Sequence, residues 1–202
     1  MRYHQLENTV QEYAWGSVSA IPELLGVENP EGKPMAELWM GAHPKAPSKL
    51  KDDPRSRTLQ DAVREEPNRF LGRRVAEEYG PELPFLFKVL ASQRALSIQA
   101  HPDRSQAEEG FDREEREGIP IDASCRNYRD RNHKPEVLCA LSEFHALCGF
   151  REPDAIHTFL STIDAPLIGR ALDALSGSVA GEASGLRGFL TTLLNAGDSE
   201  QS

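Results

Sequence analysis

Apolar and polar positions follow their clearest pattern between residues 85 and 101, FLFKVLASQRALSIQAH. Two apolar runs, 85–91 and 95–100, flank Ser92, Gln93 and Arg94, which predicts a β-hairpin or two adjacent strands. Side chains two apart share one face of a strand, so Ser97, Gln99 and His101 project together, opposite Leu96, Ile98 and Ala100. A shorter strand is predicted over 35–40, between Pro34 and Gly41, with Met35, Glu37 and Trp39 on one face. A carboxylate there fits an edge strand with Glu37 in water about as well as a buried role. Tyr13, Ala14 and Trp15 read as a strand end that turns at Gly16. The runs KPEVLCAL (134–141) and HALCGF (145–150) predict a further strand pair around Ser142 and Glu143.

Other stretches carry a helical period. Residues 21–25 make a short helix behind Pro22, and 58–71 place Leu59, Ala62 and Val63 on one face after Thr58 as N-cap. Pro67 divides that stretch and starts a second short helix with Phe70 and Leu71. A third helix covers 73–79 and stops at Gly80 and Pro81. Asp103 followed by Gln106 resembles a capping box for a polar helix over 103–117, a surface helix or lid. Residues 119–133 look irregular. From Pro153 the pattern is helical through Ala155, Ile156 and Leu160, and again over 171–175 and 186–194. The Gly- and Ser-rich SGSVAGEASG separates the last two, and a polar tail, 197–202, is expected to fray. The whole predicts a mainly β body over 1–150 followed by a helical appendage over 151–202.

Composition narrows the function classes. The chain has 202 residues, 39% hydrophobic and 27% charged, which is ordinary globular material. No apolar run approaches membrane-spanning length and MRYHQLENTV has no signal-peptide core, so the cytoplasm is the expected compartment. A net charge of −9 argues against a nucleic-acid surface. Cys125, Cys139 and Cys148 are odd in number and lack CxxC spacing, which favours neither a disulfide framework nor a thiolate zinc site; Cys139 and Cys148, among apolar neighbours, read as small buried thiols.

Two groups of residues carry candidate chemistry. Gln99 and His101 offer an amide oxygen and an imidazole nitrogen from one strand face, although a lone histidine at a strand end is usually structural. Glu136, between Pro135 and Val137, could bring a carboxylate to the same ion, a donor set suited to a divalent metal with open positions. The second group is Arg126, Arg129, Arg131, His133 and Lys134, basic in an acidic chain. Taken alone it reads as a solvated loop pairing with Asp122 and Asp130; beside a metal it would hold a phosphorylated ligand.

The stretches QEYAWGS (11–17), KPMAELWMGAHPKAPS (33–48), LPFLFKVL (83–90), LSIQAHPD (96–103), GIPIDA (118–123) and NYRDRNHKPEVLCAL (127–141) resemble, in order, the amino-terminal part of the type I phosphomannose isomerase family. They cover most of residues 10–151. The resemblance implies a cupin-like jelly-roll barrel (1–150) followed by an incomplete helical domain (151–202). It implies one zinc ion per chain, with Gln99, His101 and Glu136 as ligands, and a pocket containing Trp15, Glu37, Lys88, Ser97 and Lys134. The family's fourth ligand, a histidine, and its active-site arginine belong to a carboxy-terminal half without a counterpart here, and neither His145 nor His157 fits that ligand's pattern. The chain is therefore expected to be a partial enzyme ending inside the helical insertion.

The implied reaction interconverts mannose 6-phosphate and fructose 6-phosphate through an enediol, with a phosphorylated hexose as the substrate partner, no nucleic-acid or membrane partner, and Lys134 as the catalytic candidate. Two other classes stay open: a metal- or sugar-binding cupin without turnover, and an iron-dependent oxygenase. Gln99 in the ligand strand speaks against the oxygenase, whose facial triad needs two histidines and a carboxylate.

Overall fold

The computed structural model describes residues 3–177 and 184–197; most of the predicted Gly- and Ser-rich linker and the tail from 198 lie outside the described residues. The chain forms two compact units, Met1–Pro135 and Glu136–Ser202. The first carries, in order, β1 (Leu6–Glu7), β2 (Thr9–Gln11), α1 (Ala20–Leu25), β3 (Glu37–Met40), β4 (Lys49–Leu50), α2 (Leu59–Glu65), α3 (Pro67–Phe70), α4 (Arg73–Tyr79), β5 (Phe87–Leu90) and α5 (Arg104–Arg116).

The centre of this unit is a three-stranded antiparallel sheet in the order β2-β3-β5. Its register pairs Val10 with Leu38 and Leu38 with Val89, while Trp39 lies opposite Thr9 and Lys88. Because side chains alternate, one face presents Val10, Leu38, Met40 and Val89 to Ile21 of α1 and to Ala91, and the other presents Glu37, Trp39 and Lys88. β3 is thus a central strand, and the edge-strand reading with Glu37 in water is wrong: Glu37 is only 6% exposed.

The strand end at Trp15 turns where expected. Gly16 bridges to Ser92 and Ser17 to Met35, with the Ser17 amide donating to the Ala91 carbonyl at 2.9 Å. A Cβ on Gly16 would lie 2.6 Å from the backbone N and Cα of Ala36, so only glycine permits this approach. The Oγ of Ser17 then accepts from the amides of Ser19 and Ala20 at the start of α1.

β1 and β4 form a separate two-stranded pair. The predicted helix starts are realised: Thr58 and Asp61 form a reciprocal capping box for α2, and Asp103 and Gln106 form one for α5. Pro67 ends α2 and begins α3. Arg57 ties the turn before α2 to the helix, donating to Asp53 at 2.7 Å, Glu66 at 2.8 Å and Glu65 at 3.1 Å. Arg57, and after it Arg69, holds the Glu66 carboxyl down at about 2.

Residues 95–103 differ from expectation. β5 forms, but 95–103 contain no strand, and Ile98 is 97% exposed. A strand needs a neighbour for its N–H and C=O groups, and among the described residues nothing is paired with this segment as a strand.

In the second unit α6 (Pro153–Leu160), α7 (Pro166–Ser176) and α8 (Ser184–Leu194) enclose Ile156, Ala171, Leu172, Leu175 and Phe189. α7 starts earlier than its apolar period predicted, because Pro166 supplies a pre-set φ at the first helical position. The strand pair expected over 134–141 and 145–150 is not formed: no strand lies in either run. The described residues therefore make a mixed sheet-and-helix structure in which no sheet closes on itself. No described helix is long and apolar enough to cross a membrane.

Gly16→Ala is expected to lower unfolding free energy by about 1–3 kcal/mol through this backbone clash. Chemical denaturation that places the variant within about 0.5 kcal/mol of the parent would contradict the close approach.

Candidate functional site

Alternation along β3 and β5 places a carboxylate, an indole and an ammonium on one sheet face. Glu37 Oε2 accepts from Trp39 Nε1–H at 2.7 Å, and Glu37 Oε1 accepts from Lys88 Nζ at 2.9 Å. A buried carboxylate without such donors would be strongly destabilising; here both oxygens are met, one by a cation. Lys88 remains partly exposed, so its ammonium is held by Glu37 at the border of the buried face.

An aromatic group continues from this pair. Trp39 makes an edge contact with His43 at 4.7 Å between ring centroids, and Lys45 Nζ lies 5.8 Å from the Trp39 ring and 5.5 Å from that of Tyr13. Tyr13 stacks on Trp15 at 5.7 Å. The Trp15 carbonyl accepts the amides of Gln93 and Arg94, fixing the turn that leads from β5 toward Ser97. Trp15, Glu37 and Lys88, three of the predicted pocket residues, are thereby linked through an unbroken series of contacts. Partial burial, and after it the Lys45 charge, pushes the His43 imidazole below its ordinary value.

The sequence reading named Tyr13 and Trp39 only as strand positions, with no part in the site, and missed His43 and Lys45. For Trp39 and Tyr13 the signal was the i, i+2 spacing of Glu37 with Trp39 and of Tyr13 with Trp15. The other predicted residues sit outside the sheet. Ser97, Gln99 and His101 are exposed in the non-regular run 95–103, and Lys134 is exposed at the end of the first unit. Glu136 opens the second unit.

The basic segment before Lys134 is anchored differently from the solvated loop with Asp122 and Asp130 as partners. The Arg126 side chain is fully buried and lies 5.0 Å from the Phe111 ring; its guanidinium reaches Glu114 at 3.1 Å, Glu115 at 2.7 Å and the Tyr128 carbonyl at 2.6 Å. Glu114, 3% exposed, also accepts from the amides of Asn127 at 3.1 Å and Tyr128 at 2.8 Å. Burial alone would raise the Glu114 carboxyl, but these amide donors and the Arg126 charge outweigh it and hold the group below the usual range. Tyr128 packs so tightly on Gly110 that a Cβ there would fall 2.5 Å from its ring. Arg131 pairs with Asp112 of the same helix. The run toward Lys134 is thus pinned on α5, a pairing with no sequence signal because the partners stand 12 apart.

A metal fits the predicted donor set by chemistry: an amide oxygen, an imidazole and a carboxylate are ligands that zinc accepts. Among the described residues no group of three or more His, Cys, Asp and Glu is placed to hold an ion; Gln99, His101 and Glu136 include only two such residues.

Comparison with known proteins bears on what such a face does. The family described as "Phosphomannose isomerase type I, catalytic domain" matches residues 3–153. Mannose-6-phosphate isomerase of Escherichia coli (strain K12) is 49% identical over 160 residues, covering 79% of this chain and 41% of the relative. The Rattus norvegicus mannose-6-phosphate isomerase is 43% identical over 171 residues, covering 80% and 38%. A zinc-bound mannose 6-phosphate isomerase structure superposes with a TM-score of 0.85 at 43% identity, over 98% of this chain and 49% of its own. The Salmonella typhimurium enzyme bound to its substrate (f6p) and zinc gives 0.77 at 40% identity, over 98% and 54%. The chain thus spans about two-fifths of the length of these curated relatives.

Trp39→Phe keeps the ring but removes one donor from the buried Glu37 carboxylate. It is expected to cost about 1–3 kcal/mol of stability, and denaturation curves that coincide with the parent's would remove that hydrogen bond from the account. His43 should titrate below about 6.5, and Lys45→Met should move its midpoint upward. Because the fold favours the neutral ring, the stability it contributes is present above about 6.5 and falls as pH drops through the window below that value. An NMR midpoint at or above the free value would contradict this environment.

Proposed function

The chain belongs to the type I phosphomannose isomerase family, and on that premise we propose that it acts in the interconversion of mannose 6-phosphate and fructose 6-phosphate. The observation that carries this reading is the Glu37–Lys88 pair, buried on one side by Trp39 and presenting an oriented ammonium on the other. In this reading residues 1–150 belong to a cupin-like jelly-roll barrel, residues 151–202 to a helical domain, and the enzyme is cytoplasmic.

The reaction moves a proton between C1 and C2 of the open-chain sugar through an enediol. The barrier is dominated by negative charge developing on the sugar oxygens, which fixed donors and cations stabilise. One zinc ion, held by Gln99, His101 and Glu136, would supply Lewis-acid stabilisation of that charge without redox chemistry. Lys134 provides the ammonium nearest those ligands in sequence and is assigned the catalytic donor role toward the reacting sugar. Lys88 Nζ and Ser97 Oγ are donors to sugar and phosphate oxygens. Glu37 fixes the position of Lys88 Nζ, and Trp15 forms an apolar wall for the hexose. The clasp of Arg126 on Glu114 holds the run before Lys134 so that its position is set before substrate arrives.

A coupled assay for fructose 6-phosphate formed from mannose 6-phosphate, run on the zinc-supplemented chain alongside metal analysis, tests this. Lys134→Met is expected to lower turnover by at least about tenfold, within the range of a single positioned donor, with zinc retained. His101→Ala is expected to lose both metal and turnover. Undiminished zinc in His101→Ala would overturn the ligand assignment. Sugar phosphate binding without turnover in the parent would leave the sugar-binding reading in its place.

A further inference from the structure

The turn 41–48 carries an ammonium, that of Lys45, to the aromatic side of the site. Buried Ser48 closes the base of the turn. The Gly41 amide donates to Ser48 Oγ at 3.0 Å, the Ser48 amide donates to the Gly41 carbonyl at 2.8 Å, and Ser48 Oγ donates to Asn8 at 2.8 Å. At the tip, the Ala46 amide donates to the His43 carbonyl at 3.0 Å and the Lys45 amide to His43 Nδ1 at 3.1 Å. The neutral His43 ring therefore carries its proton on Nε2. A turn closed at both base and tip loses little further backbone entropy when a ligand docks on it.

Lys45 Nζ lies 5.5 Å from the Tyr13 ring centre and 5.8 Å from that of Trp39, and donates to Tyr13 Oη at 3.4 Å. The ammoniums of Lys33, Lys49 and Lys88 instead meet carboxylates, Glu31 at 2.7 Å, Glu7 at 3.5 Å and Glu37 at 2.9 Å. Among the described residues no carboxylate stands within ion-pair reach of Lys45. Trp39 joins the two ammoniums of the face: its ring lies beside Lys45, and its Nε1–H donates to Glu37, whose other oxygen meets Lys88. Lys88 thus has an anionic partner inside the wall, and Lys45 has only ring faces and a phenol. Of the charges acting on His43, Lys45 lowers it, after burial, and Asp130 raises it as the weakest of the three influences. The cation therefore outweighs that carboxylate on this side of the turn.

We infer that Lys45 is the residue by which this wall recognises phosphate, its ammonium pairing with the phosphate of the bound hexose. The inference rests on the isomerase reading for the ligand and deepens it by naming what separates phosphorylated from free hexose. Aromatic faces such as Trp15 take a sugar with or without its phosphate, whereas a fixed cation lacking an internal partner favours the anion. Lys88 and Ser97 remain hydrogen-bond donors to the ligand.

The test is calorimetric binding of fructose 6-phosphate, fructose and inorganic phosphate to the zinc-supplemented chain. It is run at about pH 8, where His43 is neutral with or without Lys45. Lys45→Met is expected to weaken fructose 6-phosphate by about tenfold or more, the loss of one charged contact, and to leave fructose within about twofold of the parent. Lys45→Arg keeps the charge and should stay within about threefold of the parent for fructose 6-phosphate. Added salt should weaken fructose 6-phosphate more steeply in the parent than in Lys45→Met. Unchanged fructose 6-phosphate affinity in Lys45→Met overturns the proposal. So do equal losses for fructose 6-phosphate and fructose, which would make Lys45 a packing residue, and so does a parent that binds neither phosphate compound. Inorganic phosphate bound by the parent and lost in Lys45→Met, in a chain that turns over no mannose 6-phosphate, would sustain the anion site and remove the isomerase reading. Turnover by the parent with fructose 6-phosphate affinity unchanged in Lys45→Met would do the reverse.

Discussion

A carboxylate buried at the centre of a sheet dominates the first unit. Glu37 occupies the middle strand, where desolvation without compensation would be prohibitive; the i, i+2 alternation along β3 brings Trp39 Nε1 to one of its oxygens and the pairing with β5 brings Lys88 Nζ to the other. The requirement runs in both directions. The opposite face needs Leu38, Val10 and Val89 against Ile21, and a one-residue slip would exchange that core with the charged pair. Hydrophobic packing on one side of the sheet therefore fixes electrostatics on the other. Lys88 is oriented because Leu38 is buried.

The rest of the site depends on two devices that differ in kind. Gly16 brings the Trp15 turn onto Ala36, closer than any side chain would permit, so the aromatic series from Trp15 to Trp39 is set by a steric constraint. The run toward Lys134 is held by a polar one: Arg126 and Glu114, both buried and both fully hydrogen-bonded, fasten an otherwise irregular loop to α5. In a chain of net charge −9, Arg126 and Arg131 of the basic segment are tied to acidic partners on α5, and Lys134 lies at the exposed end of the run.

Local signals were legible where the physics is local. The N-cap at Thr58, the capping box at Asp103, the break at Pro67 and the turn at Gly16 were readable because each depends on residues a few positions apart. The pairing of Glu37 with Lys88 was not readable from periodicity: edge and centre positions give the same alternation, and only the family resemblance put both in one pocket. Strand predictions over 95–100, 134–141 and 145–150 failed for a shared reason. Their apolar patterns describe what they would do beside a neighbour, and a strand has no backbone hydrogen bonds of its own to sustain it alone. The burial of Arg126 was illegible because a basic residue among basic residues gives no hint of a distant buried carboxylate.

The central claim is that the Glu37, Trp39 and Lys88 group forms one wall of a sugar phosphate site. Its most direct test follows the Trp39 indole N–H by NMR during titration with fructose 6-phosphate, the signal being told from that of Trp15 by Trp15→Phe. The account predicts a solvent-protected Trp39 indole resonance that shifts saturably as the sugar phosphate contacts Lys88. A Trp39 indole that exchanges freely with water, or one that is unmoved while the ligand binds, would contradict it.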